Sequence, residues 1–546
     1  MAQFIRVRDE RLNTCNASDA TYIVKEGART SYTVLPPQSV NTGSLVYQLN
    51  NVGPNVGRNR QIWVNPQATV VITGTGLTNP VEGQLGLKAW PFNRNISQAQ
   101  HTINNAPDTY LTNQFIDLIT RLKCEATDMR PYDNVQPDNC VDYLTGIAGI
   151  SPIVNYTSVA QGDVYTPRNV GIVSAIASGG GTVLTVTLNW WEPLITPFSA
   201  VGSNNKNLPA IYSIDGETIN LVFANGMSDL LAYHFAGATI TGQTVNLTSC
   251  SIYVEYITAY DLMLPETSLY QYEKFQRFQT PITGGTLAPS SNQTVTVQVN
   301  AQTYPSKLLI CVRSPETARN ASTPDCYASI TGIQVQLDNG ATLLNGASQR
   351  QLYAISRQNG LTDVWPVFAQ YNLAGITGGN YYGSGSVLVL DPAKDLSISQ
   401  EEGLTNSSAG KFTITLNITF SNVQPIVQAT AYVFTVNDAV LIRSGRSYNY
   451  KLLAYSKEEV ANARRSATYI EMHEYDEHKM SNLFLSGGSF KSFFMNLWKN
   501  KDKVIHHAKQ AYDIGKQAHS LYKEVKGGMP LGGYSLGGSG MKMYYD

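Results

Sequence analysis

Phe412-Thr413-Ile414-Thr415-Leu416-Asn417-Ile418-Thr419-Phe420 alternates apolar and polar side chains without a break. A β-strand sends successive side chains to opposite faces, so this stretch reads as a strand with one hydrophobic face and one face of Thr and Asn. The same period of two recurs at 294–299, 333–337, 182–188 and 251–257. Ile414, Leu416 and Ile418, together with Ile333, Val335 and Leu337, are therefore the expected core of one sandwich. Turn signals separate these runs. Asp215-Gly216 inside YSIDGETINLVF and Asn339-Gly340 inside QVQLDNGATLL read as hairpin turns, because Gly accepts the positive φ of a tight turn. Gly179-Gly180-Gly181, between IVSAIA and TVLTVTL, reads the same way. A phosphate-binding loop would need Lys-Ser/Thr and a helix after the glycines, and neither follows.

Helical periodicity is scarce in this part of the chain. Leu111, Phe115, Leu118, Ile119 and Leu122 fall on one face of a short helix, and 351–358 suggests another. Closely spaced strands with few helices indicate an all-β architecture of antiparallel sandwiches, and the span from about Ser31 to Ala454 holds two. The break between them is expected in LPETSLYQYEKFQRFQT (264–280), where polar and aromatic residues replace alternation. The expected division is an N-terminal arm (1–30), two sandwiches (31–270 and 271–455), a charged linker (456–488), a basic amphipathic helix (489–526) and a Gly-rich flexible tail (527–546).

Charge separates body from tail. Of 39 basic and 40 acidic residues in the 546, only 26 and 30 lie at 1–455, while the last 91 residues are about twice as dense in charge and hold five of the seven histidines. A sparse, nearly neutral body is not a polyanion-binding surface, which needs clustered Lys and Arg. MAQFIRVRDERL carries charges where a secretion signal needs an apolar run, so cytosolic synthesis is expected. No stretch reaches the roughly 18 uncharged apolar residues of a membrane-spanning helix. Cys15, Cys124, Cys140, Cys250, Cys311 and Cys326 lie far apart with no Cys-x-x-Cys pair, and read as buried thiols.

Catalytic, cofactor and metal motifs are not found. Glu471-Met472-His473-Glu474-Tyr475-Asp476-Glu477-His478 gathers ligand-type side chains, but a zinc-protease helix needs its two His four residues apart, and here they are five apart. This segment reads as a solvated linker. His101 and His234 are the only body histidines, and neither lies in a nucleophile motif. Aromatic pairs at Trp190-Trp191 and Tyr381-Tyr382 suit buried or subunit-contact positions, with sugar stacking as the competing use.

Ordered patches of the chain resemble a family. WWEPLITPF (Trp190–Phe198) followed by IYSIDGETINLVF resembles the late first-domain strands of double jelly-roll major capsid proteins of eukaryotic DNA viruses, and PETSLYQYEKFQRF resembles the connector between their jelly rolls. SKLLICVRS (306–314), TPDCYASITGIQVQLDNGATLL, QLYAISRQNGL and GSVLVLDPAKDLSI (385–398) resemble the second halves of capsid proteins from polinton-like viruses, adintoviruses, virophages and nucleocytoplasmic large DNA viruses. The resemblance runs in patches from about Ser31 to Asn449. It implies a double jelly roll, no enzyme activity, no cofactor, and a virion protein whose homotrimers form pseudo-hexagonal capsomers of an icosahedral shell. The implied partners are further copies, neighbouring capsomers, and minor capsid and vertex proteins. Two other readings compete: a tandem jelly-roll coat of an RNA virus, which would want an Arg-rich arm where Arg6, Arg8 and Arg11 are mixed with Asp9 and Glu10, and a carbohydrate-binding sandwich.

The tail departs from that resemblance. Phe490, Phe494, Leu497, Ile505, Tyr512 and Tyr522 recur near one helical face with Trp498 beside them, while the lysines lie largely elsewhere. Such a helix suits an anionic membrane surface, a docking site on the capsid interior, or packaged nucleic acid. Leu485-Ser486-Gly487-Gly488, before Ser489, resembles the Leu-x-Gly-Gly signal of adenovirus-type maturation proteases. Leu536-Gly537-Gly538-Ser539, before Gly540, resembles its Leu-x-Gly-x-Gly form.

Overall fold

The alternating stretch lies in the strand Ala409–Ser421, where Ile414, Leu416 and Ile418 have no exposed surface. Antiparallel pairing with Ser329–Leu337 sets Ile418 opposite Ile333, Leu416 opposite Val335 and Ile414 opposite Leu337. Five of these six residues are buried, and Leu337 is half-buried. The computed structural model describes residues 4–7, 22–25, 29–49, 53, 55–80, 85–123, 171–199, 208–233, 235, 237–258, 266–285, 287, 292–319, 321, 326–338, 340, 342–370, 383–396, 407–422, 426–456 and 459.

Two sandwiches follow one another. In the first, Arg29–Leu35, Thr239–Thr258, Val56–Thr75 and Val183–Asn189 lie side by side, with Ile172–Ser178 added beyond. The companion sheet runs Ser44–Leu49, Glu217–Phe223, Ile96–Ile103, Ala106–Tyr110. The second sandwich has Thr267–Pro281, Thr430–Ser444, Lys307–Arg313 and Leu388–Leu390 in one sheet. Its companion runs Asn292–Thr303, Ala409–Ser421, Ser329–Leu337, Thr342–Leu343. Taken in chain order, the eight strands of one sandwich map onto the eight of the other with identical neighbours. The helix Thr112–Lys123 after the fifth strand corresponds to the helix Gln349–Gln358 at the same point of the second. Two eight-stranded antiparallel jelly rolls are thus an internal structural repeat.

Local chemistry explains most elements. The helix Gln349–Gln358 starts in a capping box: the Ser348 side chain accepts from the Gln351 amide while the Gln351 side chain returns to the Ser348 amide. Gly179, Gly180 and Gly181 all have positive φ and join Ile172–Ser178 to Val183–Asn189 as expected. Ser329–Leu337 likewise pairs antiparallel with Thr342–Leu343, and the Gly340 amide donates to the Leu337 carbonyl at 2.7 Å.

Two expectations need correction. Asp215-Gly216 is not a hairpin turn, since Glu217–Phe223 pairs with Ser44–Leu49 and Ile96–Ile103. The tight turn nearby is Asn104-Asn105, with φ of 43° and 68°, joining Ile96–Ile103 to Ala106–Tyr110. Asn tolerates the left-handed region when its side chain bonds locally, and Asn104 Oδ1 accepts from the amides of Asp215 and Gly216 at 2.7 and 3.1 Å. The expected break at 264–280 is itself mostly a strand, since Thr267–Pro281 pairs along its whole length with Thr430–Ser444. Its own alternation is blurred because the first sandwich covers part of its outer face.

The sheet holding Lys307–Arg313 explains a second departure from alternation. Leu308 to Arg313 are all buried, as are Thr430 to Asn437. Leu309, Cys311, Tyr432, Phe434 and Val436 join a core continuous with the first sandwich. A sheet covered on both faces reads as a continuous apolar run, and each Leu or Val so enclosed contributes roughly 1.5–3 kcal/mol. Cys250, Cys311 and Cys326 are buried and form no disulfide. Both sandwiches lie in one compact unit, Arg29–Ser397 with Lys411–Leu452. A separate unit gathers Met1–Ala28, Ile398–Gly410 and Leu453–Asp546, and in it Phe4–Val7 pairs in parallel with Tyr22–Lys25.

Candidate functional site: the seam between the sandwiches

The helix Thr112–Lys123 joins the sandwiches. Ile116, Leu118 and Ile119 are buried, whereas Leu111, expected on the same face, precedes the helix and is exposed. Phe115 stacks on Phe275 of the second sandwich, with ring centroids 4.5 Å apart, and Tyr110 meets both rings edge-on at 5.2 and 5.9 Å. Such pairs contribute about 0.5–1.5 kcal/mol beyond area burial. Arg313 donates from Nη2 to the Gln114 carbonyl at 2.6 Å and pairs with Glu316 at 2.8 Å. Arg319 pairs with Asp117 at 3.6 Å.

Arg121 is the hub of this seam. Its guanidinium pairs with Asp363 at 2.9 Å, donates to Ser384 Oγ at 2.5 Å and to the Gly385 carbonyl at 3.2 Å, and lies 4.6 Å over the Tyr327 ring. Its own carbonyl accepts from the amide and hydroxyl of Thr362 at 2.9 and 2.6 Å. Burial works against the charge, but Asp363, Tyr327 and Asp117 together more than offset it and raise the Arg121 pKa. Gly385 makes the close approach feasible: its φ is +105°, and a Cβ there would lie 2.1 Å from the Tyr327 carbonyl oxygen. Gly385→Ala is accordingly expected to lower the melting temperature by several degrees, measured by thermal unfolding of the full chain.

The far end of the seam is polar as well. Buried Asp108 accepts from Tyr272 Oη at 2.7 Å and pairs with Lys274, while Tyr110 Oη donates to the Glu273 carbonyl. Arg60 donates to the Gln271 carbonyl at 2.7 Å, Arg443 to Ser213 Oγ at 3.2 Å, and Asn104 to the Arg446 carbonyl at 2.9 Å. These bonds fix register and angle between two apolar faces that could otherwise slide.

Two buried clusters lie inside the first sandwich. Glu217 pairs with Arg58 at 2.8 Å and with His101 Nε2 at 2.5 Å, and His101 Nδ1 meets Thr196 Oγ1 at 2.8 Å. The order Thr-His-Glu mimics a hydrolytic triad, but Thr196 is 1% exposed and His101 and Arg58 not at all, so this is a clasp between sheets. Burial pushes the His101 pKa down, against the pull of Glu217. Glu192 accepts from the Phe92 and Asn93 amides at 3.2 and 2.6 Å, from Asn93 Nδ2 at 2.7 Å and from Trp190 Nε1 at 3.2 Å. Burial pushes its pKa up to about 7 even so.

The two groups tilt stability in opposite senses. Glu192 holds its proton in the fold at pH values where the unfolded chain, near 4.5, has released it. Its contribution is therefore full below pH 4.5 and lost as pH rises to about 7, a change of about 3 kcal/mol at most. His101 does the reverse, because the unfolded chain takes up a proton first as pH falls below 6.5. Glu192→Gln should remove the decline between pH 5 and 7.5 in urea-unfolding free energies and leave the loss below pH 6.5; an unchanged decline would assign it to other groups.

The residues singled out from sequence for processing and tail function lie outside the described residues. These are Leu485, Gly487, Gly488, Ser489, Leu536, Gly538, Ser539 and Gly540, and the helix residues Phe490, Phe494, Leu497, Trp498, Ile505, Tyr512 and Tyr522. His234, Tyr381-Tyr382 and the 471–478 segment lie outside them too. Among the described residues no helix is long and apolar enough to cross a membrane, and no group of three or more His, Cys, Asp or Glu could hold a metal ion. Sequence reasoning missed Arg121, Asp363, Arg313 and Asp108. The available signal was a charge set beside buried-type apolar residues, as in KLLICVR and DLITRLK, within a charge-poor body.

Two tandem eight-stranded sandwiches with equivalent strand order, welded through a helix-on-sheet seam, define the double jelly-roll class to which viral major capsid proteins belong. Comparison agrees: residues 275–439 match the family model described as Major capsid protein V20 C-terminal domain. Over 530 residues the chain is 24% identical to the Sputnik virophage protein named "Putative capsid protein V20", covering 90% of this chain and 85% of that protein. The cryo-EM structure of the Sputnik virophage matches with a TM-score of 0.69 at 21% identity, over 86% of this chain and 96% of that one. The mavirus major capsid protein matches with a TM-score of 0.66 at 15% identity, over 83% and 97%. The chain is a double jelly-roll protein, similar in fold to these two virophage structures and in sequence to the V20 protein.

Proposed function

We propose that this chain is the major capsid subunit of a virophage-type icosahedral virion, made in the host cytosol, and that three copies form a pseudo-hexagonal capsomer. The observation that carries this reading is the internal repeat: two equivalent sandwiches, held in one unit, make one third of a six-sided ring. A charge-poor body supports it, since few ions need be stripped of water when large faces meet. Full-length recombinant protein, examined by light scattering and negative-stain microscopy, is expected to give pseudo-hexagonal particles of three times the 59.7 kDa chain mass. Monomers retained on a glycan array would overturn this in favour of a lectin.

In the same reading the tail from 456 lies on the inner side of the shell, and a maturation protease cuts after Gly488 to release a peptide beginning SFKSFFMNLWKNK. The Lys-rich, aromatic character of that peptide supports membrane or capsid-interior docking. Mass spectrometry of mature particles is expected to find a C-terminus at Gly488; chains intact to Asp546 throughout would remove the processing step.

A further inference from the structure

Two guanidinium groups lie buried near one end of the first sandwich and meet one carboxylate. Arg58 and Arg60, on the strand Val56–Thr75, have 0% and 2% of their surface exposed. Arg58 pairs with Glu217 at 2.8 Å, and His101 shares that carboxylate. Arg60 reaches the second sandwich and, among the described residues, bonds to carbonyls alone: its Nε donates to Phe198 at 3.2 Å and its Nη2 to Gln271 at 2.7 Å. Arg94, Arg121 and Arg313 are buried too, yet each faces a carboxylate at 2.7–2.9 Å.

Unused donors accompany this surplus charge. Arg60 Nη1, Arg58 Nε and Gln271 Nε2 are buried and make no hydrogen bond to any described residue. The hydroxyls nearest Arg60 are engaged elsewhere: Tyr110 Oη donates to the Glu273 carbonyl, and Tyr270 Oη accepts from the Tyr212 amide. A water molecule can accept hydrogen bonds but cannot balance a charge, and a buried ion without a counter-charge costs far more than an unmade hydrogen bond. Burial, reinforced by Arg58, pushes the Arg60 pKa down to about 10, whereas Arg121 and Arg313 beside their carboxylates are raised. Arg60 still keeps its proton at neutral pH. His101 is neutral there, since burial pushes its pKa below 6.5, so two positive charges stand against one negative.

We propose that Arg60, with Arg58 Nε and Gln271 Nε2 as further donors, binds a small monovalent anion such as chloride. One negative charge balances the surplus, and guanidinium and amide N–H groups are donors that an anion uses and a cation cannot. The Phe198 ring packs on His101 and Tyr272, with centroids 5.2 and 5.1 Å apart, so aromatic walls border the corner and favour a small ion. Bound there, the anion holds Arg60 in its reach between the sandwiches and links the stability of the fold to halide concentration.

Two measurements on the full-length protein test the site. Wild-type crystals grown in sodium bromide are expected to show an anomalous-scattering peak in contact with Arg60 Nη1. In thermal unfolding at constant ionic strength, exchanging gluconate for chloride is expected to raise the wild-type melting temperature by about 1–3 °C per tenfold rise in chloride once the site fills. Arg60→Met removes the charge that needs balancing, and its melting temperature should not distinguish the two salts. No bromide peak at Arg60 overturns the site. A peak without halide-specific stabilisation means an adventitious ion only and overturns it as well, as does an Arg60→Met protein that responds to chloride like the wild type. If Arg60→Met does not fold, Gln271→Leu takes its place. It removes one donor and no charge, so it should need several-fold more chloride for the same gain, and an unchanged response overturns the site.

Discussion

Leu416→Asp is expected to leave no soluble folded protein. Leu416 has no exposed surface and faces Val335 across the strand pair. The change forfeits roughly 2–3 kcal/mol of side-chain burial and adds a desolvation penalty of several kcal/mol for an unpaired carboxylate. Together these reach the 5–15 kcal/mol or so that holds a typical domain folded. Thr415→Asp, one residue away on the half-exposed face, is the control and is expected to cost under about 1 kcal/mol. Soluble yield and thermal melting separate the two. A Leu416→Asp protein that purifies with a wild-type melting temperature would show that the alternating strand is not a core strand.

Arg121→Met carries the second large effect. It leaves Asp363 buried at the seam without its cation, and Ser384 Oγ and the Gly385 carbonyl without their donor. Breaking a buried pair from one side typically costs about 3–5 kcal/mol. Asp363→Leu alone should cost a similar amount, since it strands the arginine instead. The double variant Arg121→Met/Asp363→Leu, with neither charge, is expected to be more stable than either single variant in urea unfolding. Single-variant losses under about 1 kcal/mol would mean that the stacked Phe115 and Phe275 hold the seam without help from this pair.

Legibility followed the length scale of the physics. FTITLNITF declared its strand and its buried face because alternation is a local consequence of the pleat, and the triple glycine declared its hairpin because positive φ is a local demand. Asp215-Gly216 misled for the same reason. Local turn chemistry was present, but the partners of Glu217–Phe223 are Ser44–Leu49 and Ile96–Ile103, strands far away in the chain. KLLICVR blurred because both of its faces are covered, one by a sandwich distant in sequence.

The amino-acid order by itself determined the all-β character, the two-sandwich length, the core alternation and the patches that resemble capsid proteins, since each depends on neighbouring residues or short motifs. Tertiary structure alone decided that the two sandwiches repeat strand for strand, that Arg121 reaches Asp363 across 242 positions, and that Phe115 stacks on Phe275 in the seam between them. Such features arise from long-range packing and charge pairing, which leave at most a charge set beside buried-type apolar residues as their trace in the sequence.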